Sequence, residues 1–444
     1  MKKKLLALFT SVLLLGSALT GCGNQNTDSN KGGTESTAKS ETTVTVWVPD
    51  AEDNEPTSEF ARLSSWAKEF NEANAGDIKV VVSGNHQPSD ILTVISSEST
   101  PDIFYNYWNN TPSWATAGAI LDLTDYIKNT ADYDVDDFLP YALKMAADAN
   151  GVQYAIPWQV SASALFYNKD MLAQAGYTEA PTTLDELLDI QKKLTVIENG
   201  VVKQAGIIPD MPWLEMVGWS VATGAKWADD QGNVTFDTPE MKRSYQLQAD
   251  MYQELGGYDA GQQFVSTLGK LGEATDPILN GKVAMLYLPD SMINNFVANG
   301  TDVNWGIAPL PSDDGEQMMT IGTFAINAKS KNPDAAWSVL ANLTSKDSMI
   351  KYEVPGLNGN GKLMSRTSAL TALKDGESYY EENRLIADSM LNAKMRGFTV
   401  SSYINEYLSA INEQMSEAVA GRVSVDEAAA NVQKTVEEIA ARSK

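Results

Sequence analysis

Thr43-Val44-Thr45-Val46-Trp47-Val48 opens the ordered part of the chain, and its β-branched and aromatic content reads as a strand. The next sixty residues decide the fold. Phe60, Leu63, Ala67 and Phe70 recur at spacings of three and four and predict a helix. Ile78 to Val82 reads as a second strand, Asp90 to Ser96 as part of a second helix, and Pro101-Asp102-Ile103-Phe104-Tyr105 as a third strand. A β-α-β-α-β alternation implies a mostly parallel sheet with helices on its faces, so the class is α/β.

At 444 residues the chain is too long for one core, and two lobes are expected. The second should begin near Pro157, with Ala164-Leu165-Phe166-Tyr167 as a short apolar strand. Thr183 and Glu186 stand in capping-box spacing before a helix. Lys282 to Leu288, Asn304 to Ile307 and Thr323 to Ile326 read as further strands. Pro333 starts a helix whose inner face is Ala336, Val339, Leu340 and Leu343. Ser424 and Glu427 form another capping box, ahead of a stripe of Val425, Ala428, Val432, Val436 and Ile439.

The N-terminus carries export chemistry. Lys2, Lys3 and Lys4 lead into an apolar run from Leu5 to Leu19, closed by Thr20-Gly21-Cys22. A basic start, a short apolar run and small residues before the cut mark a signal peptide over residues 1–21. The run falls short of the roughly 20 residues a membrane-spanning helix needs. Around the cut the sequence resembles the lipobox of bacterial lipoproteins, which implies that Cys22 receives a diacylglycerol and becomes the mature N-terminus. Cys22 is the only cysteine, so an internal disulfide and Cys-based zinc or dithiol chemistry are excluded. Residues 23–42 are Asn, Ser, Thr, Gly, Lys and Glu with almost nothing apolar. They read as a tether spanning on the order of 25 Å.

The formal charge of −25 argues against nucleic acid, because such a surface repels phosphate backbones. His86 is the only histidine, and it sits in a loop with no nucleophile motif nearby, so triad chemistry and histidine-rich metal sites have no support. Asp132, Asp134, Asp136 and Asp137 suggest a calcium loop, but the sixth position is Asp137 rather than Gly and the twelfth is Leu143 rather than Glu. A solvated acidic turn before a helix at Phe138 is the reading adopted. No metal, cofactor or catalytic residue is assigned.

Several strings occur in a telling order: Pro101-Asp-Ile-Phe104, Tyr154-Ala-Ile-Pro-Trp158, Leu165-Phe-Tyr-Asn-Lys-Asp170, Gly281-Lys-Val-Ala-Met285 and Asn332-Pro-Asp-Ala-Ala-Trp-Ser-Val-Leu340. Together with the signal and the tether they resemble the extracellular solute-binding proteins of ABC importers, in the sugar-binding group that includes maltose-binding protein. The resemblance implies a two-lobed periplasmic-binding-protein fold of type II character, with a ligand cleft between lobes joined by hinge crossings. It places crossings near 157–163, 308–312 and 364–367. Lobe one is then 43–157 with 311–364, and lobe two is 158–310 with 365–444. It also implies a monomer that captures a carbohydrate, of oligosaccharide size, and delivers it to transmembrane permease subunits, touching the membrane only through its lipid.

In open α/β sheets ligands bind beyond the carboxyl ends of strands. The candidates there are Asp50 and Asp53, then Asn106, Tyr107, Trp108 and Asn109, then Trp158 and Ser161, then Asp290, with Phe398 and Tyr403 in a polar segment before a C-terminal helix. Carboxylates and amides suit sugar hydroxyls, and aromatic faces suit the C–H face of a sugar ring. The resemblance matches Asn106 to Asn109 to a loop carrying a stacking Trp. It places Ser161 where relatives are acidic and Asp290 where they often have Pro-Trp, two departures that weigh against a maltose-type ligand. By position in the family, Trp213, Trp219 and Trp227 would line the second lobe's side of the cleft. Trp47, Trp66 and Trp337 read as core. Two alternatives stay open: a cell-surface glycoside hydrolase using paired carboxylates, and a binding protein for a non-sugar solute such as a polyamine.

Overall fold

A computed structural model describes residues 41–52, 58–94, 100–209, 218–229, 233–300, 302–353, 362–376, 380–392, 394–398 and 401–443. The signal peptide, Cys22, residues 23–40 of the expected tether, Asp53 and Trp213 lie outside the described residues, and the tether's expected last residue, Thr42, is instead the first of β1, paired with Ile78. From Ser40 onward the chain forms one compact unit. Its strands are β1 (Thr42–Trp47), β2 (Ile78–Ser83), β3 (Ile103–Tyr107), β4 (Ala155–Asn168), β5 (Val196–Glu198), β6 (Val201–Ile207), β7 (Val283–Pro289), β8 (Trp305–Ala308), β9 (Glu316–Ile326) and β10 (Lys394–Arg396).

β1 pairs in parallel with β2 and β3, as the opening alternation requires. The helix between β1 and β2 runs Glu59–Ala73 and turns Leu63, Trp66, Ala67 and Phe70 inward. The helix Pro333–Leu343 buries Ala336, Trp337, Val339, Leu340 and Leu343 in the same core, with Trp66 and Phe70. A separate core gathers Leu165, Leu187, Ile190, Trp219 and Tyr287.

β4 is 14 residues long, so the four-residue strand expected at Ala164–Tyr167 is only its end. Its first half pairs antiparallel with β9, from Ala155↔Ala325 to Ala162↔Met319, and its second half pairs with β7 and β8. β9, 11 residues rather than the expected four, continues from β4 to β3 at its far end. These two strands carry the sheet from the β1–β3 side to the β7–β6 side.

Other expectations shift in detail. The helix expected at Phe138 begins at Pro140, and Asp137 is not merely solvated: it accepts from the Ser368 backbone and hydroxyl and pairs with Arg366 at 3.3 Å. His86 stacks on Trp47 at 3.7 Å rather than standing free in its loop. That leaves Trp47 half-buried, whereas Trp66 and Trp337 are core.

Candidate functional site

Four of the strand-end residues gather around the β4 crossing. Asp50, beyond β1, accepts the Glu59 backbone N–H at 2.9 Å and so caps the helix that begins there. Tyr107, the last residue of β3, is exposed at 44%. Burial of its hydroxyl, with the charges of Asp50 and Glu59, raises its pKa. Ser161, in the middle of β4, donates from Oγ to Asp290 Oδ1 at 2.5 Å. Asp290 is the first residue beyond β7.

The hub of this cluster is Glu59, which sequence reasoning missed. It is 4% exposed, and its carboxylate accepts Trp158 Nε1–H at 2.7 Å, the Gln159 side-chain amide and Lys362 Nζ at 2.5 Å, with Arg62 3.8 Å away. Burial alone would raise its pKa, but Lys362, Arg62 and Gln159 hold it below the ordinary carboxylate value. Asp290 goes the other way: burial raises it to about 6, opposed by the Ser161 hydroxyl, backbone N–H groups and Lys362. Of the two carboxylates, Glu59 is the one that Lys362 bonds directly, while Asp290 feels its charge only as the weakest of the influences that oppose burial.

Other candidates are occupied structurally. Asn106 is fully buried, donating to Thr111 Oγ1 at 3.2 Å and accepting from Asn110 Nδ2 at 3.1 Å. Trp158 is fully buried and serves to hold Glu59. Trp219 is 1% exposed, with its N–H on the Pro209 carbonyl. Asn109 donates to Asn405 Oδ1 at 2.6 Å.

Trp108, Phe398 and Trp227 form an aromatic group of their own. Phe398 stacks on Trp108 at 4.5 Å with an 8° interplanar angle and meets Trp227 edge-on at 4.3 Å. Trp108 is therefore 8% exposed, its face covered by protein rather than open. Trp227, Phe398 and Tyr403 line a cavity of about 1200 Å³. Tyr107 and Trp108, adjacent in sequence, thus belong to different groups.

Long strands that run from the β1–β3 side of the sheet to the β7–β6 side, with polar side chains collected at the crossing, fit the class of two-lobed binding proteins. Comparison agrees. The MalE sugar-binding protein of Xanthomonas citri superposes with a TM-score of 0.73 at 20% identity, over 90% of this chain and 98% of that one. The mannotriose complex of CpMnBP1 superposes at 0.72 with 22% identity, over 88% and 99%. Residues 54–350 match the family model of bacterial extracellular solute-binding proteins, and the chain belongs to that family. Among curated relatives, the diacetylchitobiose-binding protein DasA of Streptomyces coelicolor is 26% identical over 386 residues, 84% of each chain. The sn-glycerol-3-phosphate-binding protein UgpB of Salmonella typhimurium is 24% identical over 56% of this chain and 58% of its own.

Proposed function

We propose that this solute-binding protein captures a carbohydrate, of oligosaccharide size, in the cleft at the β4 crossing and hands it to the permease of an ABC importer. The observation that carries the reading is the gathering of Asp50, Tyr107 and Asp290 from the ends of three strands, and of Ser161 from the middle of β4, around the hydrogen-bonded group of Glu59, Gln159 and Lys362. Carboxylate, hydroxyl, amide and ammonium groups beside an exposed Tyr ring are what a neutral polyhydroxylated ligand needs. DasA and the mannotriose complex support that class. Lipid attachment at Cys22 and a tether from residue 23 to the start of β1 at Thr42 complete the proposal, placing the body outside the membrane. No described helix is long and apolar enough to cross one.

The lobes proposed are 43–157 with 311–364 and, for the second, 158–310 with the C-terminal helices. Arg366 donates to the Tyr133, Asp134 and Thr344 carbonyls, and Ser368 to Asp137. These bonds support a return to lobe two after residue 376 in place of the expected 365. Gln433 accepts from the Phe236 N–H at 2.7 Å, and Lys242 reaches Asp426 at 2.9 Å, which supports lobe two as the seat of the last helix.

The hydrolase alternative has one observation in its favour, since Glu59 and Asp290 have pKa values pushed apart. Glu59 is nevertheless buried and held by Trp158, Gln159 and Lys362, so no sugar reaches it. A thermal-shift screen against oligosaccharides, with polyamines and amino acids as controls, tests the class. A ligand at 100 times its Kd adds about 2.7 kcal/mol. A shift with one saccharide that is recovered intact supports the proposal; release of shorter products, or a shift from a control alone, contradicts it.

A further inference from the structure

The 1200 Å³ cavity is not part of the cleft cluster: none of Asp50, Tyr107, Ser161, Asp290 or Lys362 lines it. One wall is the segment from Tyr141 to Gln153 that leads into β4; another is Trp227 with Phe398 and Tyr403; β9 and β10 supply Glu316 and Arg396.

Its polar groups are incompletely satisfied. Ser401 is 7% exposed, and its hydroxyl has no hydrogen-bond partner among the described residues. Arg396 Nη1 lies 3.1 Å from Glu316 Oε2, yet neither of these atoms, nor Nη2, makes an aligned hydrogen bond there. Buried polar groups left short of hydrogen bonds carry a desolvation cost that a partner supplying the bonds would offset, so such a partner would be favoured.

We propose that this cavity is a second binding site, for a neutral saccharide, separate from the cleft. Arg396 offers only donors and Glu316 only acceptors, so the pair matches adjacent sugar hydroxyls, each able to donate and accept. Tyr403 and the aromatic group around Phe398 supply apolar surface for a sugar's C–H face. Acidic side chains at Asp148, Asp229 and Glu437 alternate with Lys144 and Lys226 around the walls, a mixture that favours neither an anion nor a cation. The volume of about 1200 Å³ exceeds the roughly 300–1000 Å³ of ordinary small-ligand sites and leaves room for more than one ring.

The test is calorimetric titration of the purified protein with mannotriose, maltotriose and diacetylchitobiose, alongside cavity variants Arg396→Gln and Ser401→Ala and the cleft variant Tyr107→Ala. A saccharide that binds should titrate with a stoichiometry near two. Because it removes hydrogen bonds from a charged group, Arg396→Gln should weaken one step about tenfold or more and leave the other within about twofold, with Tyr107→Ala doing the reverse. Ser401→Ala removes a hydroxyl that holds nothing in place, so it reports on the cavity even where Arg396→Gln impairs folding. A single step that ignores both cavity variants and is lost in Tyr107→Ala overturns the second site and keeps the cleft. A single step lost in the cavity variants and untouched by Tyr107→Ala overturns both the second site and the cleft's role. No binding of any of the three contradicts the carbohydrate reading itself.

Discussion

Lys362 and Glu59 make up an ion pair between a 5% exposed carboxylate and a 31% exposed ammonium. Removing the cation would leave Glu59 charged, buried and short of a partner, whereas removing the carboxylate leaves a lysine with access to water. Lys362→Met should therefore cost about 2–3 kcal/mol by urea unfolding, discounted from the fully buried case for the exposure of Lys362, and Glu59→Gln distinctly less. Asp290 predicts a pH dependence of definite sign. Its folded pKa is raised from 3.8 to about 6, so its stabilising contribution is full below the unfolded value and is lost as pH rises through about 6. Asp290→Asn should accordingly be more stable than the wild type at pH 8 and no more stable at pH 4. Urea midpoints at the two pH values check this; an equal difference at both would mean that Asp290 does not titrate there. Trp108→Ala, with its ring stacked and buried, should lose about 3–5 kcal/mol of stability. It is therefore a poor probe of binding, and Tyr107→Ala is the better one.

At the scale of elements, β4 and β9 explain both what the sequence revealed and what it hid. Apolar runs marked their ends at Ala164–Tyr167 and Thr323–Ile326, but Gln159, Ser161 and Ser163 interrupt the apolar pattern of β4. Those interruptions are where the strand carries the polar groups of the crossing, so a rule based on apolarity ends the strand just where its function begins. Caps were legible because their chemistry is local: Thr183 Oγ1 accepts the Glu186 N–H at 3.1 Å and Ser424 Oγ accepts the Glu427 N–H at 3.1 Å. Even so, the Glu186 carboxylate returns to Thr182 rather than to Thr183. Thr183→Ala should cost about 1 kcal/mol, measured by thermal unfolding. Within β9, a Cβ at Gly322, the last residue paired with β3, would collide with the Tyr105 hydroxyl. Gly322→Ala should destabilise by about 1–3 kcal/mol, and Tyr105→Phe in the same chain should recover part of the loss.

For the whole molecule, the α/β class and the strand-end positions could be read because they rest on local periodicity and a general rule of open sheets. That rule named Asp50, Tyr107 and Asp290, and the expected crossing named Ser161, which the fold sets near one another. It could not find Glu59, which in sequence looks like an ordinary acidic residue in a helix's first turn, or Lys362, whose partner stands 303 residues away. It also counted Trp158 as a ligand contact, and the family resemblance counted Trp219, although both rings are buried and large rings near a crossing serve the core as readily. On the proposed function, the β4 crossing, with residues from three strand ends and from the middle of β4, holds a carbohydrate and leaves it intact. The most direct measurement is a crystal structure of the protein with the oligosaccharide that gives the largest thermal shift. The expected result is an unbroken saccharide against Tyr107, hydrogen-bonded to the Ser161–Asp290 pair or Lys362. An empty crossing with the sugar bound elsewhere, or a cleaved product in its place, would contradict it.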